Sequence, residues 1–176
     1  MGGRKLRILT AVRVLAGFNR SLALSALVAC GVLVAVITAV VAAGVFWRYV
    51  LNDSLSWTEE VARYLLIWLA ATGSVVAMHR RELVAIDLLP GALSGGAKRL
   101  VRLLIAVTII LTAAIVAFYG WRLAVNAWGQ TAATFYMPLF FVTVAIPFAA
   151  AGYFLIALEQ ALLEFIPQAR REDTAR

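Results

Sequence analysis

No charged side chain occurs between Arg20 and Arg48, a run of 27 residues. A helix needs about 20 apolar residues to cross a hydrocarbon core ~30 Å thick. A Lys, Arg or Asp at the centre of such a helix costs at least ~2.5 kcal/mol. Soluble domains have no use for so long a charge-free stretch. Charge is scarce elsewhere too: 14% of the 176 residues are charged and 64% are hydrophobic. Soluble chains are about a quarter charged. Cys30 is the only cysteine, so an internal disulfide and a thiol redox pair are excluded. Within an apolar run it reads as a small core side chain. His79 is the only histidine, which excludes bis-histidine haem.

What is present is hydrophobic length. Four spans are expected at about 21–47, 57–78, 98–122 and 139–159. They make one four-helix transmembrane domain over 21–165, with no room for a second domain. The fold class is therefore an all-α membrane protein. Residues 1–20 carry Arg4, Lys5, Arg7, Arg13 and Arg20 among Leu6, Ile8, Leu9, Val12, Leu15 and Phe18. They read as a basic interfacial N-terminal helix. The apolar run after them is longer than the ~7–15 residues of a secretory h-region, so it reads as a retained span. Residues 166–176 form a charged tail.

The connections have recognisable chemistry. Trp47-Arg48-Tyr49 is an interfacial anchor, and Asn52-Asp53-Ser54 is a turn. Ser56-Trp57-Thr58-Glu59 has the spacing of a capping box, in which the Ser56 hydroxyl and Glu59 carboxylate serve free amides. Pro90-Gly91 and Ser94-Gly95-Gly96 mark turns. Leu83 to Leu89, interrupted by Asp87, is too short to span and suits the interface. Pro147 lies inside the fourth span and should kink it. Trp47, Trp57, Trp121 and Trp128 fall at one set of span ends, as an aromatic belt does.

Basic residues divide thirteen to three between the two sides. The tails and the 79–102 segment hold thirteen; the other side has Arg48, Arg63 and Arg122. Both termini are therefore expected in the cytoplasm. The net charge of +7 is accounted for by topology and anionic membrane lipid, and no nucleic acid is needed.

An ionisable residue inside the membrane marks function by default. No acid or arginine lies in 21–47, 64–78, 103–121 or 123–158. An enzyme or a self-sufficient transporter is therefore disfavoured, and no cofactor or metal site is expected. Two surfaces suit a partner instead. Gly31, Ala35, Ala39 and Ala43 recur every four residues and form a small-residue face for helix packing, within the chain or outside it. Trp57, Glu60, Tyr64 and Trp68 share one face of the second helix, with Glu59 and Glu60 both within helical reach of Arg63. Arg48 and Asp53 sit near enough to join them. This group is either a solvated helix start, where acids suit the dipole, or a cluster that docks another protein.

Phe46-Trp47-Arg48-Tyr49-Val50-Leu51-Asn52, followed by Leu55-Ser56-Trp57-Thr58-Glu59-Glu60-Val61-Ala62-Arg63-Tyr64 and Trp68, resembles the small permease subunit of tripartite ATP-independent periplasmic (TRAP) transporters, the DctQ type. Arg80-Arg81 with Val84 to Leu89, Gly129-Gln130-Thr131, Met137-Pro138 and Pro147 extend the likeness over roughly 18–165. One position departs from the pattern: Leu83 stands where many members have a histidine four residues before the loop Asp87. The resemblance implies a scaffold subunit in the bacterial inner membrane, bound to a large permease subunit that holds sodium and substrate. It further implies a periplasmic binding protein that delivers an organic acid. The alternative is a four-helix assembly or anchoring subunit of another membrane complex. A third reading, an autonomous exporter, needs a buried charge that the spans lack.

The orientation can be checked with one cysteine. In a Cys30→Ser background, Ser94→Cys should resist an impermeant thiol reagent in intact cells and react after permeabilisation. Labelling in intact cells would overturn the cytoplasmic placement of the 79–97 loop.

Overall fold

The computed structural model describes residues 2–80, 95–134 and 136–165. The expected interfacial segment at 83–89, the Leu83 position and the tail at 166–176 lie outside those residues. Helix α1 is Gly2–Val50 and α2 is Ser56–His79. Helix α3 is Gly95–Asn126, extended by a 3-10 turn at Ala127–Gly129. Helix α4 is Phe140–Thr143 and α5 is Ala145–Phe165. There is no strand among the described residues, only an isolated antiparallel bridge between Thr131 and Pro138.

Four helical stretches are long and apolar enough to cross a membrane: Val14–Val50, Ser56–His79, Leu100–Gly129 and Phe140–Leu163. Their number matches the sequence reading; their ends do not all match. Helix α1 continues through Arg20 without a break, so no joint separates a basic helix from the first span. Asn19 could have capped a new helix there, but its amide bonds α5 instead. At 49 residues α1 would be roughly 73 Å long, more than twice the ~30 Å core.

The α1–α2 turn is tight. Asn52 takes φ 54°, a left-handed conformation that asparagine tolerates better than most residues. The Asp53 amide reaches back to the Trp47 carbonyl at 3.2 Å. The expected capping box does not form: Leu55 is the N-cap, in extended conformation, with no side-chain cap. Thr58 instead bonds the Leu55 carbonyl at 2.7 Å through its hydroxyl, and Glu59 is drawn to a cation on α1. At the fourth span Pro147 acts as expected. It has no N–H for the carbonyl four residues earlier, and the helix breaks at Val144, between α4 and α5.

Helix α1 packs along α2 and α3 along α5, and the two pairs meet through α2–α5 and α1–α5 contacts. Burial separates inner from outer helices. In the most apolar part of each span, 33% of α2 and 39% of α4–α5 is buried, against 6% of α1 and 11% of α3. The core is Val75, Met78, Ile156 and Ala157, with Leu22, Ile110 and Tyr153 packed against it. Two glycines set the approach of helices. A Cβ on Gly44 would lie 2.7 Å from the Thr58 hydroxyl oxygen, and one on Gly152 would lie 2.8 Å from a Val75 methyl.

Gly152→Ala should therefore force α5 off α2 and cost about 1–3 kcal/mol. A Cβ added to Gly31 would meet nothing within 4 Å, so Gly31→Ala should leave stability unchanged or slightly raised. Thermal unfolding of both variants in one detergent checks the contrast. Equal melting temperatures would show that the α2–α5 contact is looser than this.

Candidate functional site

The polar residues at the start of α2 are brought together, but not in the pairs their spacing suggested. The Glu60 carboxylate accepts the backbone amides of Ala133 at 3.0 Å and Thr134 at 2.8 Å. It also accepts the hydroxyls of Thr134 and Tyr64. Ionised carboxylates have room for about four donors, so Glu60 is saturated by the chain itself. Ala133 and Thr134 sit in a small hairpin closed by Ala132 N–H to Met137 carbonyl, 3.0 Å, and Leu139 N–H to Gln130 carbonyl, 2.9 Å. Glu60 staples this hairpin, between α3 and α4, onto α2.

The expected Glu60–Arg63 and Glu59–Arg63 neighbours do not pair; Arg63 is exposed on the helix surface. Arg48 forms an ion pair with Glu59 across the α1–α2 turn. Both side chains are about half exposed or more, which limits the pair to about 0.2–1 kcal/mol. Trp57 is exposed at 43%. Tyr64 joins Glu60. Trp68 lies deeper and donates its indole N–H to the Phe141 carbonyl at 2.8 Å, beside the break at Val144. Below it Phe148 packs at 5.7 Å between ring centroids. Trp128 packs on Phe140 at 4.8 Å, next to the hairpin.

The small-residue face points outward. Gly31, Ala35 and Ala39 are exposed and Ala43 is half-buried. Helix α1 turns a different face to α2: Cys30, Leu33, Ile37, Val40 and Gly44, all half-buried and spaced by three and four. The Cys30 sulfur lies 3.2 Å from the Thr72 hydroxyl, so it is part of the α1–α2 seam.

One polar contact was not anticipated. Asn19 is fully buried and Glu159 nearly so, at 8% exposed. The Asn19 amide nitrogen donates to Glu159 and, at 3.2 Å, to the Leu155 carbonyl. The Asn19 Oδ1 is buried without a partner. Glu159 reads from the sequence only as the marker of a span end; the signal available is an asparagine sitting two residues before the charge-free run. Among the described residues no group of three or more His, Cys, Asp or Glu could hold a metal.

Glu60→Ala should free the hairpin. Amide exchange at Ala133 and Thr134 should rise by about tenfold or more, while Glu59→Ala leaves it unchanged. Equal exchange in the two variants would remove Glu60 as the staple. Asn19→Leu takes away the α1–α5 hydrogen bonds and should lower stability by about 1 kcal/mol. An unchanged unfolding midpoint would show that packing alone holds α1 to α5.

The profile of the family described as tripartite ATP-independent periplasmic transporters, DctQ component, matches residues 37–166. That region holds the Arg48–Glu59 pair, the Glu60 staple and the broken fourth span. A relative from Haemophilus influenzae, named as a TRAP transporter small permease protein, is 38% identical over 60 residues. That match covers 34% of this chain and 37% of the relative's length. The family is a transporter component rather than an enzyme family, and four spanning helices make the chain a multi-pass protein of the inner membrane. With the family profile covering most of its length, the chain belongs to the DctQ component family of TRAP transporters.

Proposed function

We propose that the chain is the scaffold subunit of a sodium-driven importer of organic acids, C4-dicarboxylates or other carboxylates. In this reading it binds a large permease subunit, which holds sodium and substrate. A periplasmic binding protein docks on the complex to deliver the substrate, and both termini of the small subunit face the cytoplasm. The observation that supports this most is where the charge sits. The centres of all four spans lack charged side chains, and Glu60 is saturated by the chain itself, through the hairpin and Tyr64. A carboxylate substrate needs a desolvated cation or a cluster of aimed donors. Arg63 is exposed and Arg48 is engaged by Glu59, so neither supplies such a pocket.

The isolated subunit should show no saturable heat with candidate organic acids in calorimetry. Proteoliposomes holding both subunits and supplied with the binding protein should take up substrate only under an inward sodium gradient. A micromolar site on the isolated chain, or uptake by this chain alone, would overturn the scaffold reading.

A further inference from the structure

Beside the seam of α1 and α2, near the turn that joins them, lies a small pocket of about 180 Å³. Val41, Gly44, Val45, Arg48 and Tyr49 of α1 line it, with Thr58 and Glu59 of α2. Val41 and Val45 are exposed, so the pocket opens to whatever surrounds the chain. Its polarity is graded along the helices. From Val41 to Arg48 is roughly 10 Å at the helical rise. The deep part is Val41, Gly44 and Val45, and the end nearest the turn is Arg48, Tyr49 and Glu59. Trp47 and Trp57, both exposed, stand at that same end, where indoles mark the headgroup layer. Polar toward water and apolar toward hydrocarbon is the profile of a phospholipid entering the bilayer.

The two walls differ in hydrogen-bonding character. The α1 wall donates. Arg48 gives one N–H to Glu59 and keeps its remaining donors, and the Tyr49 side chain beside it is exposed. The α2 wall accepts. One Glu59 oxygen takes the Arg48 bond, which leaves the other. The buried Thr58 hydroxyl gives its proton to the Leu55 carbonyl at 2.7 Å, so its oxygen is left as an acceptor. The Arg48 and Glu59 side chains are 48% and 63% exposed, so both ions remain open to a ligand. Their charges cancel. Asp53 lies in the turn and Arg63 one helical turn deeper on α2, and neither lines the pocket. A simple anion would meet Glu59, and a simple cation would meet Arg48. A ligand that carries both charges answers both walls.

We propose that this pocket holds the headgroup of one phosphatidylethanolamine, with its phosphate on Arg48 and Tyr49 and its ammonium on Glu59 and Thr58. The inference depends on membrane insertion and not on the transport reading. Glu59, which makes the place unfit for a free carboxylate, is what selects this lipid. Phosphatidylcholine has the same charges, but its trimethylammonium has no N–H to donate. Phosphatidylglycerol has no cation for Glu59.

The full chain, purified in mild detergent, can be offered equal amounts of the three lipids with identical acyl chains and weighed by native mass spectrometry. One phosphatidylethanolamine per chain is expected, favoured over each of the others by about tenfold, the strength of one charge-assisted hydrogen bond. Both ions are about half exposed or more, so their variants should fold. Glu59→Gln should reduce the preference over phosphatidylcholine to about threefold or less. Arg48→Gln leaves Glu59 alone before the phosphate and should abolish selective retention. Val45→Trp fills the pocket and should do the same at unchanged helicity. Equal retention of phosphatidylethanolamine and phosphatidylcholine by the unaltered chain overturns the proposal, whatever the variants do. So does a preference for phosphatidylglycerol, or a tenfold preference that survives any of the three substitutions. Capture of another protein, and not lipid, by a photo-crosslinker at position 45 in native membranes also overturns it.

Discussion

Inside hydrocarbon a carbonyl or hydroxyl without a partner costs several kcal/mol, and no water is there to supply one. Most of the polar detail of this chain answers that constraint. Thr38, Thr72 and Thr108 turn their hydroxyls back onto carbonyls of their own helices, at 2.8, 2.7 and 2.9 Å. The break that Pro147 imposes is the harder case, because it disturbs the bonding of a whole turn. Thr143 bonds the Leu139 carbonyl at 3.0 Å, and Trp68 reaches from α2 to the Phe141 carbonyl at 2.8 Å. The kink and the tryptophan are thus one unit: the donor sits where the helix loosens.

Helix α2 is where these solutions converge. Toward α1 it offers Thr58 against Gly44 and Thr72 against Cys30. Toward α5 it offers Val75 against Gly152. At its start, Glu59 holds Arg48 and Glu60 holds the 130–138 hairpin. A helix tied on three sides has little freedom to rock. Such a design suits a fixed frame better than a moving gate, and it leaves the two outer helices to meet whatever surrounds the chain.

Long-range bonds explain most of what the sequence did and did not disclose. Four spans were legible because charge is excluded from each centre by solvation alone, a rule that needs no knowledge of packing. The proline break was legible because its cause is covalent. The capping box failed because Glu59 had a better partner, a guanidinium eleven residues earlier in the chain. The Glu60–Arg63 neighbour failed for the same reason: donors 73 and 74 residues away, at Ala133 and Thr134, outcompeted an exposed helical pair. No local spacing reports such donors. The small-residue face was real as a pattern, but an intrachain role could not be read from it. The seam with α2 runs instead through Cys30, Leu33, Ile37, Val40 and Gly44, which mix sizes. Asn19 and Glu159 escaped notice because a single polar residue at a span end ordinarily faces the headgroups.

Hydrophobicity cannot tell a lipid-facing surface from a helix-facing one, since lipid tails are as apolar as leucine. Side-chain size can. The outward face of α3 carries Leu104, Leu111, Ile115 and Phe118, all exposed at about 60%. Another helix backbone would be held away from it. The Gly31, Ala35 and Ala39 side of α1 is equally exposed but nearly flat. From Gly31 to Ala43 it extends roughly 18 Å. Close packing of a neighbouring helix is sterically open on α1 and closed on α3. The two outer helices are alike in hydropathy and burial, yet they present different surfaces to the membrane.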